Sequence, residues 1–142
     1  MANSKGEEFI IWCIHSKGVS SRHQSPTSKI MIRNWRKLLE AFVIWNWQAC
    51  FNKLIQHNFD TVSANYFSNP PHYSGNFWWS RSKYISRLKK LPSKGDYIDP
   101  EMWLCKSHPR YYSFYNTHPR VWCYNKNYDM PNLKVLGLKM PQ

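Results

Sequence analysis

Acidic residues are scarce in this chain. Eight Asp and Glu stand against twenty Lys and Arg in 142 residues, a formal charge of +12. No Asp-x-Asp occurs anywhere, so no local acidic metal motif is present. Long apolar runs are missing too. Stretches such as Ala41–Trp45 are far too short for the roughly 20 residues that span a bilayer. The polar start, Met1 to Glu8, carries two acids and does not read as a secretory leader. Cys13, Cys50, Cys105 and Cys123 form no Cys-x-x-Cys pair, and no two of the six His stand four apart. Free, mostly buried thiols are expected, and nothing local argues for a metal site. These absences point to a soluble chain in a reducing, cytoplasmic compartment.

Aromatic residues, by contrast, are abundant. They make up 17% of the chain, with eight Trp and nine Tyr. Together with a hydrophobic fraction of 42% they exclude a disordered basic tail. The length fits one domain with one substantial core.

The patterning predicts an α/β fold. Glu8–His15 reads EFIIWCIH, a buried strand by its continuous apolar run. Residues 16–28 read as a loop. Lys29–Gln56 contains no Gly and no Pro, and Trp35, Leu38, Leu39, Phe42 and Trp45 recur at helical spacing. One long helix is predicted there. Asp60–Tyr66 reads as a short strand and Asn69-Pro70-Pro71 as an extended turn. A second helix is expected over Ser80–Lys90, ended by Leu91-Pro92. Asp99-Pro100-Glu101 has the form of a helix start: Asp at the cap, Pro in the first turn, acid at the positive end of the dipole. His108-Pro109-Arg110 and His118-Pro119-Arg120 each open a short strand-like segment, which predicts a pair of strands. The result is a small mixed sheet with a long helix packed on one face.

Four constellations carry chemical interest. His15-Ser16-Lys17-Gly18 follows the first strand, where open α/β sheets gather ligands. Lys17 as a point charge and Gly18 as a close backbone approach can hold a phosphate; the plainer reading is a solvated loop. His72–Trp79 contains Gly75, Asn76 and the tandem Trp78-Trp79. Indole faces there can form a platform for a sugar ring or a base, or can simply fill the core. Glu101 beside Trp103 can act as a general base, whereas helix capping accounts for Asp99 alone. Arg81, Lys83, Arg87, Lys89, Lys90 and Lys94 form a run without an acid, either a solvated helix face or an anion-binding surface.

Taken in order, these segments resemble a family of small bacterial and viral glycosyltransferase-like proteins with a nucleotide-sugar (GT-A-type) fold. The resemblance rests on HSKG at 15–18, SGNFWW at 74–79, the helix to Leu91-Pro92, EMW at 101–103 and Tyr112–Asn116. It covers roughly residues 9–117. Ser16 stands where the family has Thr, and Tyr115 where it has His. The chain matches the C-terminal half of that fold, so residues 1–124 are expected to form one glycosyltransferase-like domain without the nucleotide-binding half, followed by a tail at 125–142. The resemblance implies transfer of a sugar from a nucleotide-sugar donor to a glycan or other hydroxyl acceptor. By it, His15, Lys17, Gly18 and Tyr115 face the donor. Gly75, Asn76, Trp78 and Trp79 shape the cleft, and Glu101 is the base. A divalent cation belongs to the same implication, although the chain offers no acidic motif for one.

The charge supports a second reading. Residues 1–60 hold eight basic and four acidic side chains, and residues 61–142 hold twelve and four. A nucleotide-sugar site needs only one or two cations. The surplus suits a non-catalytic, aromatic-rich binding or structural protein: a nucleic-acid binder, or a component of an assembly such as a virus particle.

Overall fold

The computed structural model describes residues 7–15, 25–91, 95 and 99–116. Lys17, Gly18, Lys94, Cys123, the second Pro-Arg segment and the tail lie outside them. Within them the fold is mixed α/β, as the sequence predicts.

Strand β1 (Ile10–Cys13) is followed by α1 (Pro26–Glu40). That helix starts earlier than the Gly- and Pro-free stretch suggests. Ser25 caps it, its Oγ accepting from the Ser28 amide at 3.2 Å, and Pro26 fills the first turn. Proline costs nothing there, because the amide it lacks has no partner within the helix. A π turn (Ala41–Trp45) then separates α1 from α2 (Trp47–Ile55). The long helix is therefore present but interrupted. Three carbonyls of the wide turn are taken by side chains. Asn46 Nδ2 donates to Ala41 O at 2.8 Å, Cys50 Sγ to Phe42 O at 3.2 Å and Trp79 Nε1 to Val43 O at 2.7 Å. Those bonds supply the partners that buried carbonyls require.

Strands β2 (Thr61–Ser63), β3 (Tyr66–Ser68), β4 (Pro71–Tyr73) and β5 (Trp78–Arg81) follow, then α3 (Ser82–Ile85), α4 (Asp99–Trp103) and β6 (Tyr111–Ser113). The strand expected over Asp60–Tyr66 breaks at Asn65, whose φ of 58° turns the chain into β3. β3 and β4 form a separate hairpin around the Asn69-Pro70 turn. The main sheet has the order β1-β5-β2-β6. β5 is antiparallel to both of its neighbours, and β6 is parallel to β2.

Two expectations are corrected. The helix over Ser80–Lys90 is only Ser82–Ile85, followed by turns closed on Tyr84 and Ile85. Ser80 does not begin it, because Ser80 is fully buried in β5 between Ile11 and Thr61. Arg87, Lys89 and Lys90 therefore lie beyond the helix rather than along one helical face. β1 is also an edge strand rather than a buried one: Trp12 and Ile14 are half-exposed. Among the described residues it has one strand neighbour, and α2 packs mainly over β2 and β5.

Each face of the sheet has its own core. Trp35, Leu38, Leu39, Phe42 and Val43 on the helical side meet Cys50, Leu54 and Val62 through Trp79 and Phe114. On the other face Tyr73, Trp78, Tyr84, Leu104 and Cys105 pack together. Trp78 and Trp79 are neighbours on one strand, so they enter opposite cores. No helix of the described residues is long and apolar enough to cross a membrane.

Candidate functional site

The strand register collects most of the candidate residues at one end of the sheet. Cys13 pairs with Trp78, Val62 with Trp79, and Ser63 with Ser113. Two positions past these pairs lie His15, Asn65, Tyr115 and, on the reversed strand β5, Asn76. The carboxyl ends of β1, β2 and β6 thus converge there, the end of an α/β sheet at which ligands gather.

The turn before β5 is the centre of this end. Gly75 has φ 80° and Asn76 φ 55°, both left-handed. Gly75 is buried, and its amide donates to Glu101 Oε1 at 2.7 Å. Asn76 Oδ1 accepts from Trp78 Nε1 at 2.7 Å. The structure therefore brings Gly75, Asn76, Trp78 and Glu101 together, with Glu101 delivered by the first turn of α4. Trp79 is not part of this group. Its indole bonds Val43 on the helical face and stacks on Trp12 with centroids 5.8 Å apart. The two tryptophans thus form no shared platform. His15 is exposed just beyond β1.

Tyr115 serves packing. Its ring stacks on Phe42 with centroids 6.1 Å apart, and its carbonyl accepts from the Asn65 amide. Asn65 itself is a site residue that the sequence reading passed over. It is fully buried, left-handed, and accepts from the Ser74 amide at 3.1 Å, which steadies the turn next to Gly75. An Asn at the end of a short strand is the signal for it. Asn116 joins the same end, its Oδ1 accepting from the Tyr66 amide at 3.0 Å.

Most of the basic candidates sit at the opposite end. Arg81 forms a fork with Glu8, Nε and Nη2 each at 2.6 Å, and also donates to Asn58 Oδ1. This bidentate bond holds the Glu8 carboxyl below its ordinary value and raises Arg81 further. Arg87 lies 3.7 Å from Asp60, whose other oxygen accepts from the Arg110 amide at 2.9 Å. Arg81 and Arg87 are therefore engaged within the chain. Lys83 and Lys90 are exposed.

The buried thiols and phenols belong to the cores. Burial pushes Cys50 and Cys105 up to about 12 and Tyr66 to about 12 as well. Burial also raises Tyr73 well above its ordinary value; its hydroxyl meets Thr61 Oγ1 at 3.0 Å and donates to Tyr112 O at 3.1 Å. Among the described residues Cys13, Cys50 and Cys105 are free thiols. No group of three His, Cys, Asp or Glu among them is placed to hold a metal ion. The donor groups among the described residues do not fit a divalent cation.

No family model, curated protein or solved structure matches the chain.

Proposed function

We propose that this chain is a glycosyltransferase-like protein that moves a sugar from a nucleotide-sugar donor to a hydroxyl acceptor at the Gly75–Glu101 end of its sheet. The observation that supports this most is the 2.7 Å bond between the Gly75 amide and Glu101. It joins two segments, 26 residues apart, that the sequence resemblance assigns to one site. The left-handed Gly75 lets the backbone approach closely, and Asn65 and Asn76 line the same end.

In the proposed reaction the acceptor oxygen attacks the anomeric carbon. The bond from that carbon to the diphosphate breaks, and the nucleoside diphosphate leaves with the electron pair. Glu101 takes the hydroxyl proton. His15, with Lys17 and Gly18 just beyond it in sequence, would meet the diphosphate. Oε1 already accepts from an amide, which fixes the orientation of the carboxylate relative to the turn.

The test is turnover and melting temperature of the full chain with a panel of nucleotide sugars. A donor that raises the melting temperature and is consumed supports the reading. Glu101→Gln keeps an amide-accepting oxygen but removes the base, so turnover should vanish while the fold remains. Absence of any shift across the panel points to the non-catalytic reading, for which the surplus of Lys and Arg already speaks.

A further inference from the structure

We propose that β1 is the seam of a homodimer, in which two copies join edge to edge into one eight-stranded sheet. β1 is an outer strand of the main sheet. Natural edge strands are usually blunted by Lys, Pro or a bulge. Residues 7–15, EEFIIWCIH, contain no Lys, Arg or Pro, in a chain of charge +12. The other edge is different. Arg110 precedes β6 with its guanidinium over Phe59, and Lys53 Nζ sits 4.1 Å from the Tyr112 ring centre. Among the described residues, cations guard one edge and no strand pairs with the outer side of the other.

An apolar surface accompanies the open edge. Lys53 leans from α2 toward β6, so Trp47, Phe51 and Ile55, on the helix's other flank, lie toward β1. Ile10 of β1 packs against the cluster of Cys50, Leu54 and Val62, which places β1 beside the α2 core. On the same face of β1 stand Trp12 and Ile14. These five side chains, Trp12, Ile14, Trp47, Phe51 and Ile55, are each between 40% and 50% exposed. Covering them would bury on the order of 500 Å² per copy, or roughly 1,000 Å² in all, the lower bound for a specific interface.

A second copy fits this surface by symmetry. In an antiparallel twofold pairing, directly opposed residues must share a face. Centring the axis on Trp12 sets Trp12 against its own counterpart and Ile10 against Ile14 of the other copy. His15 then falls opposite Phe9, with Glu8 and Glu7 beyond it. Residues 7–15 hold no Lys or Arg, so within them the seam opposes no two such cations, although each copy is strongly basic elsewhere.

Sedimentation of the full chain between about 1 and 100 µM tests this over the range in which such interfaces form. A dimer is expected. Ile14→Lys buries two unpaired charges at the seam and should weaken it about 100-fold or more, with circular dichroism unchanged. Trp12→Cys should give a covalent dimer under mild oxidation, because opposed Cα atoms stand roughly 4.5–5.5 Å apart, within disulfide reach. The native chain should not crosslink, since Cys13 faces Ile11 in this register. A monomer throughout, a dimer that Ile14→Lys leaves intact, or no crosslink through Trp12→Cys would each overturn the proposal.

Discussion

The Gly75 amide donates to Glu101 Oε1 at 2.7 Å, so the turn before β5 and the first turn of α4 hold each other in place. Gly75 makes this possible by taking φ 80°, where a Cβ would crowd the backbone. Gly75→Ala should therefore cost about 1–2 kcal/mol of stability. Urea denaturation measures it, and an unchanged midpoint would show that the turn bears no strain.

The Glu8–Arg81 fork predicts a pH signature. Glu8 has a lowered folded-state value. Its contribution is full above the ordinary carboxylate value of 4.5 and is lost as pH falls through the folded value. Glu8→Gln should lower the melting temperature by about 1–4 °C at neutral pH, a modest effect because the pair is part-exposed. The gap should close in acid. A gap that persists well below pH 4 would mean that packing, not charge, is lost.

Tyr73 anchors the second core through Thr61 Oγ1 and the Tyr112 carbonyl. Tyr73→Phe removes both bonds without changing the ring. A loss of about 1–2 kcal/mol is expected, since buried polar partners are left behind. Equilibrium unfolding of the two proteins supplies the comparison.

Burial raises the Cys50 and Cys105 thiols to about 12. Both should resist iodoacetamide in the native protein near pH 8 and react once it is unfolded. Peptide mapping of the labelled chain reads this directly; rapid native labelling of either would contradict the cores described.

Much of the architecture was legible because it is local. Trp35, Leu38 and Leu39 announce a buried helical stripe, and Asp99-Pro100-Glu101 announces the start of α4. What escaped depends on distant partners. Ala41–Trp45 continues the helical period, and nothing local says that Asn46, Cys50 and Trp79 will accommodate a π turn there. Ser80 reads as the start of a helix until the register places it between Ile11 and Thr61. Trp78 and Trp79 read alike in sequence, yet their alternation on β5 sends one to each core. The meeting of Gly75 with Glu101 is likewise set by tertiary packing. Only the resemblance linked those two segments, and the Ser80–Lys90 stretch yields to β5 for the same non-local reason.

Under the proposed function Glu101 is the base that takes the acceptor's hydroxyl proton. The most direct measurement is turnover of nucleotide sugars by the full chain and by Glu101→Gln, with melting temperatures recorded on both. Turnover by the native chain is expected, with a loss of at least about 100-fold in Glu101→Gln and little change in melting temperature. Equal turnover by the two proteins, or none by the native chain with any donor, would contradict it.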